Sequence, residues 1–300
     1  KKIFCLYKSL QSAKAKSLLQ EFENKLQAYK STLNTSVYNS NWQKRYEYAG
    51  SLYYNEGNYG EALSLYAKLI DLNKGINSYV SIKKNAEYFT FIGRVNNDQG
   101  KPNNALDSFA KAAVIYKSNF DTLNWAKVQN DIAYSYYLLG KYYQSIAYAD
   151  SARQKLLLMG DDNNAGYSKS LTGSCYWELG KYDSAILAHK SSIELRKKAN
   201  NASGQAKSWK SIGELYLNSG LKNNALAAYD SAAFYYQQLK DSSGLAETYN
   251  KKGNVFYNDE NNKMAAEFFE KAKGVNSKST VEALYNLGNA WYDMDTTKAR

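Results

Sequence analysis

Leu139-Gly140-Lys141-Tyr142 returns 40 residues later as Leu179-Gly180-Lys181-Tyr182. Gly220 follows after another 40, in Asn218-Ser219-Gly220-Leu221, and Gly100 stands 40 earlier, in Asp98-Gln99-Gly100-Lys101. Gly57 lies 43 before Gly100, and Asp259-Glu260-Asn261 holds the slot after Gly220 without a glycine. Self-similarity at a fixed period of this length is the mark of a repeat array.

Other positions keep the same register. Seven residues before the turn stand Gly50, Gly93, Ala133, Gly173, Gly213 and Gly253. A ring follows three later in most copies: Tyr53, Tyr136, Tyr176, Tyr216 and Phe256. Five residues after the turn come Ala62, Ala105, Ser145, Ala185, Ala225 and Ala265, and four further on Tyr66, Phe109, Ala149, His189, Tyr229 and Phe269. Three beyond that the chain has Leu69, then Ala112, Ala152, Ser192, Ala232 and Ala272. Spacings of three, four and seven are helical, so the unit reads helix, short turn, helix. A glycine inside a helix costs about 1 kcal/mol relative to alanine. Five of six copies accept that cost at one slot, which points to close helix–helix approach with the ring one turn later filling the space beside it. One amphipathic pair cannot bury its apolar face alone, so neighbouring pairs must stack.

With Trp209-x-x-Ile212-Gly213-x-x-Tyr216, Gly220 and Ala225-x-x-x-Tyr229 in place, the chain resembles the tetratricopeptide repeat family. A seventh first-helix reads Leu284-x-x-Leu287-Gly288-x-x-Trp291. The resemblance covers residues 41–300 and implies an all-α fold, a right-handed superhelical solenoid of six helix pairs plus the first helix of a seventh. Residues 1–40 are expected to form an N-terminal helical cap or a partial repeat, with helix from residue 3 to about 31 and a polar loop from Thr32 to Asn41. The period exceeds the family's roughly 34 residues, and the proline that closes the family's unit is missing. Longer repeats of this kind occur in scaffold proteins and in input regions of bacterial signalling proteins, so the resemblance implies a role in protein–protein interaction.

Composition narrows the function classes. The apolar class makes up 44% of 300 residues, enough for a continuous core, and the one proline, Pro102, falls at the start of a second helix. No apolar run approaches the roughly 20 residues of a membrane span, and Ile3–Leu6 is too short for a signal-peptide core. The net charge of +11 is uneven: residues 1–50 carry nine Lys/Arg against three Asp/Glu, which leaves +5 over the array. That near-balance counts against nucleic acid, for which a basic stripe along one face is expected. Cys5 and Cys175 stand about four repeats apart, too far to bridge in a stacked array, and Cys5 reads as a small buried hydrophobe. Asp121-Thr122, Asp161-Asp162-Asn163, Asn201 to Ser203 and Asp241-Ser242-Ser243 recur at 40 between units and are read as supplying N-cap residues for the next first-helix.

Catalytic and cofactor motifs are missing. The one histidine, His189, falls in the slot that other units give to Tyr66, Phe109, Tyr229 and Phe269, and is read as core. No His/Cys cluster has metal-ligand spacing, and Gly100-Lys101 continues into proline, not into the Ser/Thr of a phosphate loop.

By the family's pattern the first helices line a groove. Four residues after the small position the sequence runs Tyr54, Asn97, Tyr137, Trp177, Leu217, Tyr257 and Tyr292. The partner-binding residues implied are Tyr54, Arg94, Lys127, Tyr134, Tyr137, Tyr167, Trp177, Lys207, Lys210, Asn250, Asn254 and Tyr257, with Trp177 at the centre. Rigid aromatics beside adaptable polar groups suit a peptide or protein partner. The alternative is that the rings pack against the next repeat. A second function class, single-stranded nucleic-acid binding, would stack bases on Tyr137, Trp177 and Tyr257. The groups that clamp a C-terminal carboxylate in chaperone-binding members are not reproduced, because Lys210 is followed by Glu214 where asparagine is needed. The chain is expected to be a segment of a longer protein: it lacks an initiator methionine, and after Asp295 the next second-helix is expected to begin at Thr297 and stop at Arg300.

Overall fold

The computed structural model describes residues 12–28, 35–76, 78–275 and 280–298. All its regular structure is α-helical, in fourteen helices among the described residues. A leading helix α1 (Ser12–Ala28) precedes the repeats. The first helices are α2 (Thr35–Asn55), α4 (Tyr79–Asp98), α6 (Thr122–Leu138), α8 (Asp162–Glu178), α10 (Ala202–Asn218), α12 (Ser242–Tyr257) and α14 (Thr280–Lys298). The second helices are α3 (Tyr59–Leu72), α5 (Pro102–Ser118), α7 (Tyr142–Leu158), α9 (Tyr182–Lys198), α11 (Lys222–Gln238) and α13 (Asn262–Gly274). Two compact units, residues 1–141 and 142–300, contain α1–α6 and α7–α14. Within each, every helix packs on its neighbours in sequence, as stacked pairs require.

The register read from sequence is the register of burial. Ala62, Ala105, Ser145, Ala185, Ala225 and Ala265 are fully buried. So are the rings Phe109, Tyr229 and Phe269, and next to fully Tyr66 and His189. The glycine slot is where these rings enter. A Cβ on Gly93, Gly173, Gly213 or Gly253 would stand 2.3, 2.7, 2.5 or 2.4 Å from Phe109, His189, Tyr229 or Phe269. The expected close approach is present, but the ring in the notch comes from the second helix of the pair, not from one turn along the first.

Each junction is closed by the same left-handed cap. Gly57, Gly100, Gly140, Gly180 and Gly220 have φ between 69° and 77°, and Glu260 takes that conformation at 59°. The Gly100 N–H donates to the Asn97 carbonyl and the Lys101 N–H to the Asn96 carbonyl, the paired bonds of a Schellman motif. A second series at the unit boundaries does the same with Phe120, Gly160, Asn200 and Lys240. The residue after each, the first of each stretch expected to supply a cap, is the N-cap: the side chains of Asp121, Asp161, Asn201 and Asp241 accept from the backbone N–H three residues on.

Phe120 is the costly member, a bulky residue at φ 56° with 92% of its surface exposed. A left-handed conformation costs an L-residue about 1–2 kcal/mol, and glycine avoids that at the expense of unfolded-state entropy. Phe120→Gly should therefore stabilise unit 1 by about 1 kcal/mol, read as a higher urea midpoint with an unchanged slope.

Two boundaries differ from the reading. Helix α2 starts at Thr35, inside the expected 32–41 loop. Serine and asparagine cost a helix interior at most about 0.7 kcal/mol each, and the turn that follows is anchored by buried Trp42. Helix α14 runs through to Lys298 without the expected break after Asp295. The turn slot seven residues past Gly288 holds Asp295, not a glycine, so nothing forces the left-handed cap. Helix over residues 3–11 and 29–31, and Cys5, lie outside the described residues. Cys175 is buried, and its thiol donates to Ser145 Oγ at 3.2 Å.

Candidate functional site

In unit 1 the candidate residues sit on α2, α4 and α6. Tyr54 on α2 donates its hydroxyl to Asp98 Oδ2 on α4 at 2.5 Å. Burial, and then this bond to a carboxylate, raise the Tyr54 phenol above its ordinary range. Arg94 on α4 forks onto Asp131 on α6, with Nε at 3.1 Å and Nη2 at 2.9 Å. Burial pushes the Asp131 carboxyl up while the Arg94 charge pulls it down. Asn97 and Ser135 exchange hydrogen bonds at 3.0 and 3.1 Å behind that pair. Tyr134 stacks on Tyr137 along α6, centroids 6.2 Å apart and planes at 15°. Lys127 is half-buried on the same helix.

In unit 2 they sit on α8, α10 and α12. Trp177 is half-buried and lies on a cluster of Ala185, Ile186 and Leu215, with Tyr176 and Tyr216 beside it. Lys210 on α10 pairs with Glu247 on α12 at 2.6 Å, and Glu214 one turn along pairs with Lys251 at 2.8 Å. Tyr257 donates to Asp293 Oδ2 on α14 at 2.6 Å, repeating the Tyr54–Asp98 contact. Asn254 accepts from Asn286 Nδ2 at 3.4 Å. Asn250 is buried, while Tyr167 and Lys207 are exposed. Thus Tyr54, Arg94, Lys210 and Tyr257 each clasp the next first helix, and Trp177 serves as a lid on the core.

The clasps follow a rule of spacing. Glu47–Lys84, Arg94–Asp131, Lys210–Glu247 and Glu214–Lys251 are all opposite charges 37 residues apart. For the last three, which span 40-residue steps, that is the period less one helical turn, so each side chain reaches the next first helix one turn back; Glu47–Lys84 spans the 43-residue step and reaches nearly two turns back. The acidic partners Asp98, Asp131, Glu247 and Asp293 were absent from the candidate set. A search for opposite charges at 37 would have found Asp131 and Glu247.

Among the described residues no group of three or more His, Cys, Asp and Glu is placed to hold a metal ion, and no helix is long and apolar enough to cross a membrane. His189 lies in the core, where burial and then the Arg196 charge push its pKa down to about 4.

Two family profiles for the tetratricopeptide repeat match the sequence, one over residues 126–198 and the other over 46–75 and 246–279. This is a tetratricopeptide repeat protein. Solved structures agree in fold. Aspartyl phosphate phosphatase F from Bacillus subtilis superposes with a TM-score of 0.66 at 14% identity, covering 100% of this chain and 84% of its own. The apo form of the quorum sensor NprR from B. thuringiensis gives 0.64 at 17%, covering 95% and 78%. The Rap conjugation gene regulator of plasmid pLS20, in complex with the Phr* peptide, gives 0.60 at 17%, covering 86% and 74%. At such identities the likeness is one of fold. No curated protein matches the sequence. In this tetratricopeptide repeat protein the position expected of a carboxylate clamp is closed: Lys210 and Glu214 both face α12 and are paired there.

Proposed function

We propose that this chain is a non-catalytic scaffold whose first-helix face takes up a peptide or partner protein. The observation that carries the reading is the clasp ladder. Within unit 1 charge and hydroxyl pairs join α2 to α4 and α4 to α6, and within unit 2 they join α10 to α12 and α12 to α14, which holds Tyr54 and Tyr257 in fixed positions. A rigid array of half-exposed rings loses little entropy on binding. The tetratricopeptide fold, and a structural neighbour solved with a bound peptide, support a protein-interaction role. The finer proposal is an input domain of a bacterial signalling protein, taken from the long repeat period.

Trp177→Ala tests it. Peptides selected from a random display library against the wild-type chain should lose about 2 kcal/mol of affinity, roughly thirtyfold, when a central aromatic anchor is removed. Because the ring also rests on Ala185, Ile186 and Leu215, stability should fall by about 2 kcal/mol, short of the 3–5 kcal/mol of a fully buried tryptophan. Lost stability with unchanged affinity for every selected peptide would sink the groove and leave the ring as packing. Nucleic-acid binding is the weaker reading, since Arg94, Lys210 and Lys251 spend their charge on carboxylates. A single-stranded oligonucleotide that binds at low salt and is lost steeply as salt rises would reverse that order.

A further inference from the structure

The turns between repeats in unit 1 carry side chains that the fold does not use. Phe120 takes a left-handed turn position that Gly160 fills 40 residues on, and 92% of its surface is exposed. A ring so exposed packs on almost nothing, and its backbone is strained as well. Folding therefore gives no account of a phenylalanine here, and strain of this kind is characteristic of functional positions. Phe120 has company. Among the described residues of unit 1 six large hydrophobic side chains are exposed, and four of them stand in or beside the turns between repeats: Ile76, Tyr79, Val80 and Phe120.

The two turns are neighbours. Lys83, one helical turn past Tyr79 on α4, pairs its Nζ with Asp121 Oδ2 at 2.9 Å, and Asp121 directly follows Phe120. The turns at the other end of the helix pairs are polar, with Glu56-Gly57-Asn58 and Gln99-Gly100-Lys101. One edge of unit 1 thus bears the apolar tips and the opposite edge does not.

Charge indicates the partner. Unit 1 holds 19 Lys/Arg against 11 Asp/Glu, a formal +8 out of the chain's +11. On the apolar edge Lys74, Lys83 and Lys117 stand against Asp71 and Asp121, and among the described residues no carboxylate pairs with Lys74 or Lys117. Separate rings and branched side chains raised on turn tips suit a partner that yields to them without a matching shape. Lysines around them suit a partner that is anionic. A phospholipid surface meets both conditions, and a tyrosine beside aliphatic residues is the composition found at a membrane–water interface. Nucleic acid would use the charge but leave Ile76 and Val80 in water.

We infer that this edge of unit 1 docks on an anionic phospholipid bilayer, with Phe120, Tyr79, Val80 and Ile76 entering the headgroup region and Lys74 and Lys117 meeting phosphates. The docking is peripheral and does not rest on the first-helix groove.

The test is flotation of the intact chain with vesicles of mixed phosphatidylglycerol and phosphatidylcholine. The wild type should float with them, less so with phosphatidylcholine alone, and less as salt rises. Phe120→Gly should weaken vesicle binding at least about fivefold, because a partly inserted phenylalanine is lost. Its melting temperature should stay level or rise, so a folding defect cannot account for the loss. Phe120→Trp should restore binding, since tryptophan is favoured at the interface. Lys74→Glu with Lys117→Glu should weaken binding to the mixed vesicles at least about tenfold. Peptides selected for the groove should bind Phe120→Gly as they bind wild type, which separates failure here from failure of the groove. No flotation with the mixed vesicles, or flotation that Phe120→Gly leaves intact, would overturn the proposal. So would self-association, or binding of a single-stranded oligonucleotide, that Phe120→Gly abolishes, in favour of a second copy or of nucleic acid.

Discussion

Gly93→Ala should cost about 2–3 kcal/mol of stability. The new methyl carbon would lie 2.3, 2.6 and 2.7 Å from three carbons of the Phe109 ring, and that ring is fully buried, so it has nowhere to go. Overpacking costs roughly 1–3 kcal/mol and sometimes more, and this geometry belongs at the upper end or beyond. Alanine returns about 1 kcal/mol through its better helix propensity, which leaves the net loss. The molecule supplies its own controls in the same slot. At Gly50 the nearest Tyr66 ring atom is 3.1 Å away, so the penalty should be smaller. At Gly288 nothing is near, so alanine should stabilise by up to about 1 kcal/mol. One substitution at three equivalent sites should thus run from strongly destabilising to stabilising, and urea titrations would show it.

A pairwise test goes further. Phe109→Ala alone should cost about 3–5 kcal/mol through the cavity it leaves. In a Gly93→Ala background it should cost less, with a coupling of about 0.5–3 kcal/mol, because the first change already makes the ring a misfit. The third unit has made this trade in sequence: it carries Ala133 in the glycine slot and Ala149 in the ring slot. A strictly additive cycle would refute the ring-into-notch account.

That account also explains what could be read before any coordinates. The 40-residue period and the three small or ring positions of the second helix were legible because packing selects for volume at those sites, and volume is visible in residue type. The turns were legible where they used glycine. The second series of left-handed caps was not, because only Gly160 among Phe120, Gly160, Asn200 and Lys240 announces the conformation. The candidate groove was legible as a set of positions, since helical spacing assigns a face. What each side chain does there was not. Arg94 and Lys210 look like solvent-facing charges until their partners are seen 37 residues on, and a clasp between helices leaves no signature within either helix. Arg196 was missed altogether. It occupies the slot of Tyr116 and Tyr236, buried over Gly204, with Nη1 donating to the Gly204 carbonyl at 2.6 Å.

Unit 2 should be acid-sensitive through His189, and His189→Phe should remove that sensitivity. The imidazole is next to fully buried against Gly173, and both ring nitrogens lie buried without a hydrogen-bond partner. Burial, helped by the Arg196 charge, brings its pKa down to about 4, so the folded protein holds it neutral. In the unfolded chain the same group takes a proton as pH falls through about 6.5. Between those values the unfolded state binds more protons than the folded one, so stability is complete above about 6.5 and is lost on acidification. The loss reaches about 3 kcal/mol at pH 4, and about 2 kcal/mol has gone by pH 5, before most carboxylates titrate. Phenylalanine fits the slot, since Phe109 and Phe269 fill it in other units. It also removes a buried group that forfeits its hydrogen bonds, for which the cost is about 1–3 kcal/mol. The variant should therefore be more stable at pH 7 by that order and should lose about 2 kcal/mol less than wild type between pH 7 and pH 5. Parallel pH dependences in the two proteins would show that His189 is not the group responsible. A stabilised variant with an unaltered slope would separate the packing gain from the titration and leave only the first standing.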